Sequence, residues 1–118
     1  MTPDELKRRT KALAVKIVRL AATLPSDAAT AVIVRQLVKS GTAVGANYRS
    51  SCRAKSRADF VCKLTTAEEE ADETAYWLEI LVETSTVPPT RVADLIDEAE
   101  QLVRIFVASI KTARGFSR

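Results

Sequence analysis

A chain of 118 residues can build one hydrophobic core but not two, and with three glycines, four prolines, 5% aromatics and abundant Ala, Leu and Val it favours helices over sheet. No histidine is present and there are only two cysteines, Cys52 and Cys62, which excludes Ser-His-Asp and Cys-His chemistry, a common zinc site and a disulfide framework, and suits a reduced cytoplasm. The net charge of +3 hides an asymmetry, because residues 1–63 hold 13 Lys/Arg against 4 Asp/Glu while residues 64–118 hold 5 against 11.

The first predicted helix opens on Thr2, Pro3 and Glu5, which match an N-cap, a first-turn proline and the acid of a capping box. Leu6, Leu13, Ile17, Leu20 and Leu24 then draw one apolar stripe, and Leu24-Pro25 is expected to end it. Ser26 or Asp27 can cap a second helix with Val34, Leu37, Gly41, Val44, Tyr48 and Cys52 on its core side. Gly41 and Gly45 each cost roughly 1 kcal/mol relative to alanine inside a helix, so close approach of another backbone is expected there. Ser56 and Asp59 begin the third helix, where Phe60, Leu64, Ala67, Ala71, Thr74, Leu78 and Leu81 form a bundle seam. An antiparallel turn near residue 55 would set the two glycines opposite Ala67 and Ala71. Val87-Pro88-Pro89 breaks the chain before a last helix whose inward side carries Val92, Leu95, Ile96, Ala99, Leu102, Val103, Phe106 and Ile110, with Gly115 at its end.

The expected architecture is therefore all-α: a single domain over 1–118 in which helices over about 3–24, 27–53, 57–85 and 90–113 form an up-down-up-down antiparallel four-helix bundle. No apolar run reaches the roughly 18 residues of a membrane span, and the first residues lack a signal-peptide pattern, so a cytoplasmic protein is expected. Ala31, Val32, Ile33 and Val34 nearly surround their helix, and Ile105 and Val107 flank Phe106. One bundle buries one side of each helix, so this surplus points to self-association.

Arg35, Lys39, Arg49 and Arg53 fall within about 40° of one line on the second helix at 100° per residue, and Lys55 and Arg57 extend the row into the following turn. Such a surface can neutralise backbone phosphates and is the candidate nucleic-acid site. The third helix answers with Glu68, Asp72, Glu79 and Glu83 within about 60°, so the alternative is that the two stripes pair within a hairpin or between subunits and serve assembly. The carboxylates of Glu68 through Glu73 lack the Glu-x-x-His partners of a di-metal bundle, and no metal or cofactor is expected. An enzyme using only cations, with Arg35, Lys39 and Arg49 clamping a dicarboxylate, would need a closed pocket, and no catalysis is expected. Asn47 reads as an amide bonding to a neighbouring helix, and Trp77, beside Glu73 and Ile80, as an interface aromatic ahead of a base-stacking platform.

The blocks Ser40-Gly41, Gly45-Ala46-Asn47-Tyr48-Arg49, Lys55 to Phe60 with Lys63-Leu64, Glu70 to Thr74 and Tyr76 to Glu79 occur in an order and spacing that resembles the 23S ribosomal RNA intervening-sequence family, over roughly residues 12–110. The resemblance implies a non-enzymatic four-helix bundle that assembles as a homopentamer. Related accessory proteins of diversity-generating retroelements form basic pentameric barrels that bind nucleic acid and a reverse transcriptase, so RNA and a nucleic-acid-processing protein are the implied partners. It further implies that Asn47, Arg49, Ser56, Arg57 and Phe60 shape the second-to-third-helix corner, and that Asp72, Glu73, Tyr76 and Trp77 support packing or subunit contact.

Overall fold

The computed structural model describes residues 1–115, in four helices: α1 (Pro3–Ala21), α2 (Ala28–Ser51), α3 (Arg57–Glu83) and α4 (Pro89–Ala113). Each helix packs on its sequence neighbour, and α1 closes more lightly on α4. With short turns joining helices of about 28 to 40 Å, the result is an antiparallel up-down-up-down bundle, a rod of 49 × 23 × 21 Å.

The starts follow from side-chain caps. Thr2 and Glu5 exchange hydrogen bonds with each other's main chain at 2.9 and 3.1 Å, which holds the Glu5 carboxyl below its ordinary pKa. Asp27, not Ser26, caps α2 by accepting from the Thr30 N–H, and Ser56 caps α3 by accepting from that of Asp59. Pro88 opens α4 with no side-chain cap, and the helix begins at Pro89, whose missing N–H has no partner to lose there.

The ends come earlier than the apolar pattern predicts. The first helix stops at Ala21, where Thr23 and Leu24 N–H groups bond three residues back and Pro25 disfavours a helical Leu24. The second stops at Ser51, whose hydroxyl donates to the Tyr48 carbonyl at 2.6 Å, so Arg53 lies in the turn and not on the helix. After Glu83 the Ser85 N–H bonds Val82 and the Thr86 N–H bonds Leu81, both at 2.9 Å, a Schellman close that requires Ser85 at φ 59°.

Leu13, Ile17, Leu37, Val44, Leu64, Leu78, Leu81, Val92, Leu102 and Phe106 are fully buried along the axis. In their midst Thr74 Oγ1 and Ser40 Oγ stand 3.1 Å apart, each also within reach of a carbonyl of its own helix, so the α2/α3 seam carries one polar register mark. About two turns further on, Tyr48 stacks on Phe106 across the bundle with centroids 5.9 Å apart. Gly41 and Gly45 do not face Ala67 and Ala71 as expected. A Cβ on Gly41 would come 2.9 Å from Ile17 Cγ2, and one on Gly45 3.1 Å from Thr10 Oγ1, so the helix that approaches the glycines is α1. On α2 the two glycines lie on one shoulder of the core arc and Ser40 on the other, which divides the arc between α1 and α3.

The packing at Gly41 and the turn at Ser85 can each be tested by one substitution. Gly41→Ala gains about 1 kcal/mol of helix propensity but pushes a methyl into the branched, immobile Ile17, which costs about 1–3 kcal/mol. The denaturation midpoint should fall in the wild type, and the same change should be neutral or favourable in an Ile17→Ala background; a gain in the wild type would refute the close approach. Ser85→Gly should raise stability by about 0.5–1 kcal/mol by relieving a left-handed serine. The neighbouring Thr84→Gly should instead lower the midpoint, because Thr84 sits at φ −88° with no such strain to relieve.

Candidate nucleic-acid interface

The α2–α3 corner is built from local bonds. Past Ser51, the Arg53 and Ala54 N–H groups bond three residues back at 3.1 Å, which turns the chain, and Ser56 then caps the next helix. Asp59 on the first turn of α3 accepts from the Lys55 main-chain N–H at 3.2 Å and pairs with the Lys63 ammonium at 3.6 Å. Its carboxylate is thereby tied to the corner.

A groove of about 380 Å³ lies at this corner, lined by Arg49, Arg53, Lys55, Lys63, Lys7 and Asp59 together with Ala46 and Ser50. Five cations face one carboxylate. Arg49, Arg53 and Lys55 are not buried and, among the described residues, join no ion pair, so their charge is directed at solvent.

The six sequence-predicted residues do not form one continuous site. Arg49, Arg53 and Lys55 share the groove, whereas Arg57 does not line it, and Arg35 and Lys39 stand about 15 to 21 Å further along α2. Lys39 is close enough to the half-buried Glu70 of α3 to influence its charge. Lys7 and Lys63 were missed. Lys63 lies two turns into α3, and Lys7 reaches the groove because Thr10 of α1 packs on Gly45, one residue from Ala46. The signal for Lys7 was the glycine pair, once assigned to the right neighbour.

The acidic stripe does not pair with the basic one inside the chain. The ion pairs among the described residues are Arg9–Glu98 at 2.6 Å and Lys63–Asp59, and neither includes Glu68, Asp72, Glu79 or Glu83. Asn47 donates to the Ala43 carbonyl of its own helix at 2.9 Å, not to a neighbouring helix as expected, because its side chain lies back along α2. The indole N–H of Trp77 bonds Glu73 at 3.2 Å while its ring packs on the core, and Tyr76 beside it remains 53% exposed. Cys52 and Cys62 are free and exposed, and no cluster of three or more potential metal ligands occurs among the described residues. None of the four helices is long and apolar enough to cross a membrane.

A family model described as 23S rRNA-intervening sequence protein matches residues 5–108. A solved structure from Bacteroides thetaiotaomicron, a protein of unknown function from the S23 ribosomal protein family, is 34% identical over 94% of this chain and 99% of its own, with a TM-score of 0.86. None of the curated proteins matches.

Burial is the main cause that raises the Glu70 carboxyl above its ordinary pKa, Glu73 adds to it and Lys39 opposes it. A carboxyl raised on folding costs stability above its folded pKa and none below its unfolded one, near 4.3. Glu70→Gln should therefore raise the thermal midpoint at pH 7 and leave it unchanged near pH 3, where both forms are neutral. An equal gain at both pH values would assign the effect to packing.

Proposed function

The chain belongs to the 23S rRNA-intervening sequence protein family, and from that premise we propose a non-enzymatic, cytoplasmic homo-oligomeric bundle that binds structured RNA, free or within an RNA–protein complex, through its basic corner. The observation that supports this reading is the convergence of Lys7, Arg49, Arg53, Lys55 and Lys63 on one open groove with a single carboxylate. Cations brought together in excess of carboxylates repel one another, and a polyanion relieves that repulsion while releasing its own counterions. The groove is partly open to solvent, which suits a backbone passing through better than a small dicarboxylate that needs full enclosure from water. Arg35 and Lys39, about 15 to 21 Å away along the same helix, are a separate cationic patch that only a longer RNA would reach.

Half-buried apolar residues support the homo-oligomer. Ile33, Val34, Ile105 and Val107 retain exposed surface after the bundle closes, and Val15, Val18 and Val32 are 40%, 46% and 48% exposed. The second reading, a purely structural oligomer, is favoured by the unpaired state of both charged stripes within one chain, since sister copies could then pair them.

Binding to a structured RNA pool is expected to weaken with salt, with a log–log slope of about −3 to −4 for four neutralised phosphates. Replacing Arg49 and Arg53 by Glu should reduce affinity at least tenfold and flatten the slope by about 2. Absence of binding at low salt would leave the structural oligomer standing. Loss of the assembled form on a sizing column in that same double variant would assign the corner to assembly.

A further inference from the structure

We propose that the basic groove at the α2–α3 corner is an end-binding site, which takes the 5′ triphosphate of an RNA in preference to the phosphodiesters along its strand. The inference rests on the RNA reading above and deepens it by naming the part of the RNA that the groove recognises.

The charges of the groove converge and do not line up. A strand's phosphates follow one another with a sugar between each pair, and cations that track a strand form a matching row. Here Lys7 enters from α1, Arg49 and Arg53 stand one turn apart on α2, Lys55 sits in the turn and Lys63 comes from α3. Along α2 the row is broken, since residues 40–48 carry no charged side chain between Lys39 and Arg49. The groove is therefore a separate concentration of positive charge, and the ligand that matches it is compact.

Against the one carboxylate of Asp59, the five cations leave four positive charges uncompensated. A triphosphate terminus carries about four negative charges at pH 7, two of them on its last phosphate, whose second pKa lies near 6. Its phosphates are joined through single oxygens, so that charge occupies far less space than the same charge on a strand. Lys7 and Lys63 are half-buried, where attraction to an anion is screened less than at full exposure, and the planar forks of Arg49 and Arg53 suit two-point contact with phosphate oxygens.

The rest of the lining favours phosphate over base. Among the described residues it has no aromatic ring to stack a base and no amide to read its edge, and Ala46 and Ser50 are small enough to leave space among the cations. Asp59 is engaged, accepting from the Lys55 main-chain N–H at 3.2 Å and pairing with Lys63 at 3.6 Å. The groove thus has no spare carboxylate for the magnesium ion that accompanies a free nucleoside triphosphate, and its own cations neutralise the phosphates.

The test uses the full chain and one RNA hairpin prepared with a 5′ triphosphate, monophosphate or hydroxyl, with affinity measured at one salt concentration. The triphosphate form should bind about tenfold more tightly than the hydroxyl form, with the monophosphate between them. The double variant Lys7→Gln and Lys55→Gln, which keeps the main-chain bond to Asp59, should bring the three affinities within about twofold of one another at unchanged helicity and unfolding midpoint. Arg35→Gln with Lys39→Gln should weaken all three alike and keep their ratio. Equal affinity of the wild type for the three ends would overturn the end-binding site and leave RNA binding standing, whereas binding of none at low salt would overturn both. Sodium tripolyphosphate or GTP bound as tightly as the triphosphate RNA would assign the groove to a free phosphate ligand and overturn the choice of an RNA end.

Discussion

The bundle depends on a place where α2 offers bare backbone. At Gly41 and Gly45 there is no side chain to hold α1 away, so Ile17 and Thr10 settle against the helix itself, at a distance that a methyl would violate at Gly41 and crowd at Gly45. Close approach increases dispersion contact along the seam and offsets the conformational cost of two helical glycines. It also matters most for α1, which is the shortest helix at 19 residues and meets α4 only lightly. Because Thr10 is fixed on Gly45, Lys7 is carried to Ala46 and Arg49, so a core contact sets the composition of a surface groove.

The electrostatics of the corner follow from one carboxylate with two duties. Asp59 steadies the turn by accepting the Lys55 N–H and neutralises Lys63, and it leaves the remaining cations uncompensated. A second acid there would quench the groove. With none, the positive potential is concentrated in a groove walled by three helices, where water screens it less than on a convex surface.

The four helices were legible because their signals are local: the Thr2/Glu5 box, the Ser56 cap, the proline pair and the three-four spacing of leucines each act within a few residues. The partner of the glycines was not, since the core arc of α2 is shared by two neighbours and periodicity gives an angle without saying which helix stands there. Helix ends were overextended by the same pattern, which continues through Leu24 and Cys52 although proline and serine have already redirected the backbone. Part of the candidate site was visible as an angular stripe. Angle ignores height, however, so Arg35 and Lys39 were grouped with residues about three turns away, while Lys7 and Lys63 arrive from other helices and leave no mark in the α2 pattern.

Cations gather at the corner where α2 gives way to α3, whereas at the opposite tip Lys16, Arg19, Arg35 and Arg91 stand among Asp27, Glu79, Glu83, Asp94 and Asp97, so a rod 49 Å long carries its excess positive charge toward one extremity. In the field of any large anion such a particle experiences a torque. It turns before it collides, and its cationic tip leads. At about 0.15 M salt the field persists for about 8 Å, so the alignment is confined to the last stage of approach, and diluting the electrolyte should lengthen that stage and quicken capture more than it slows escape.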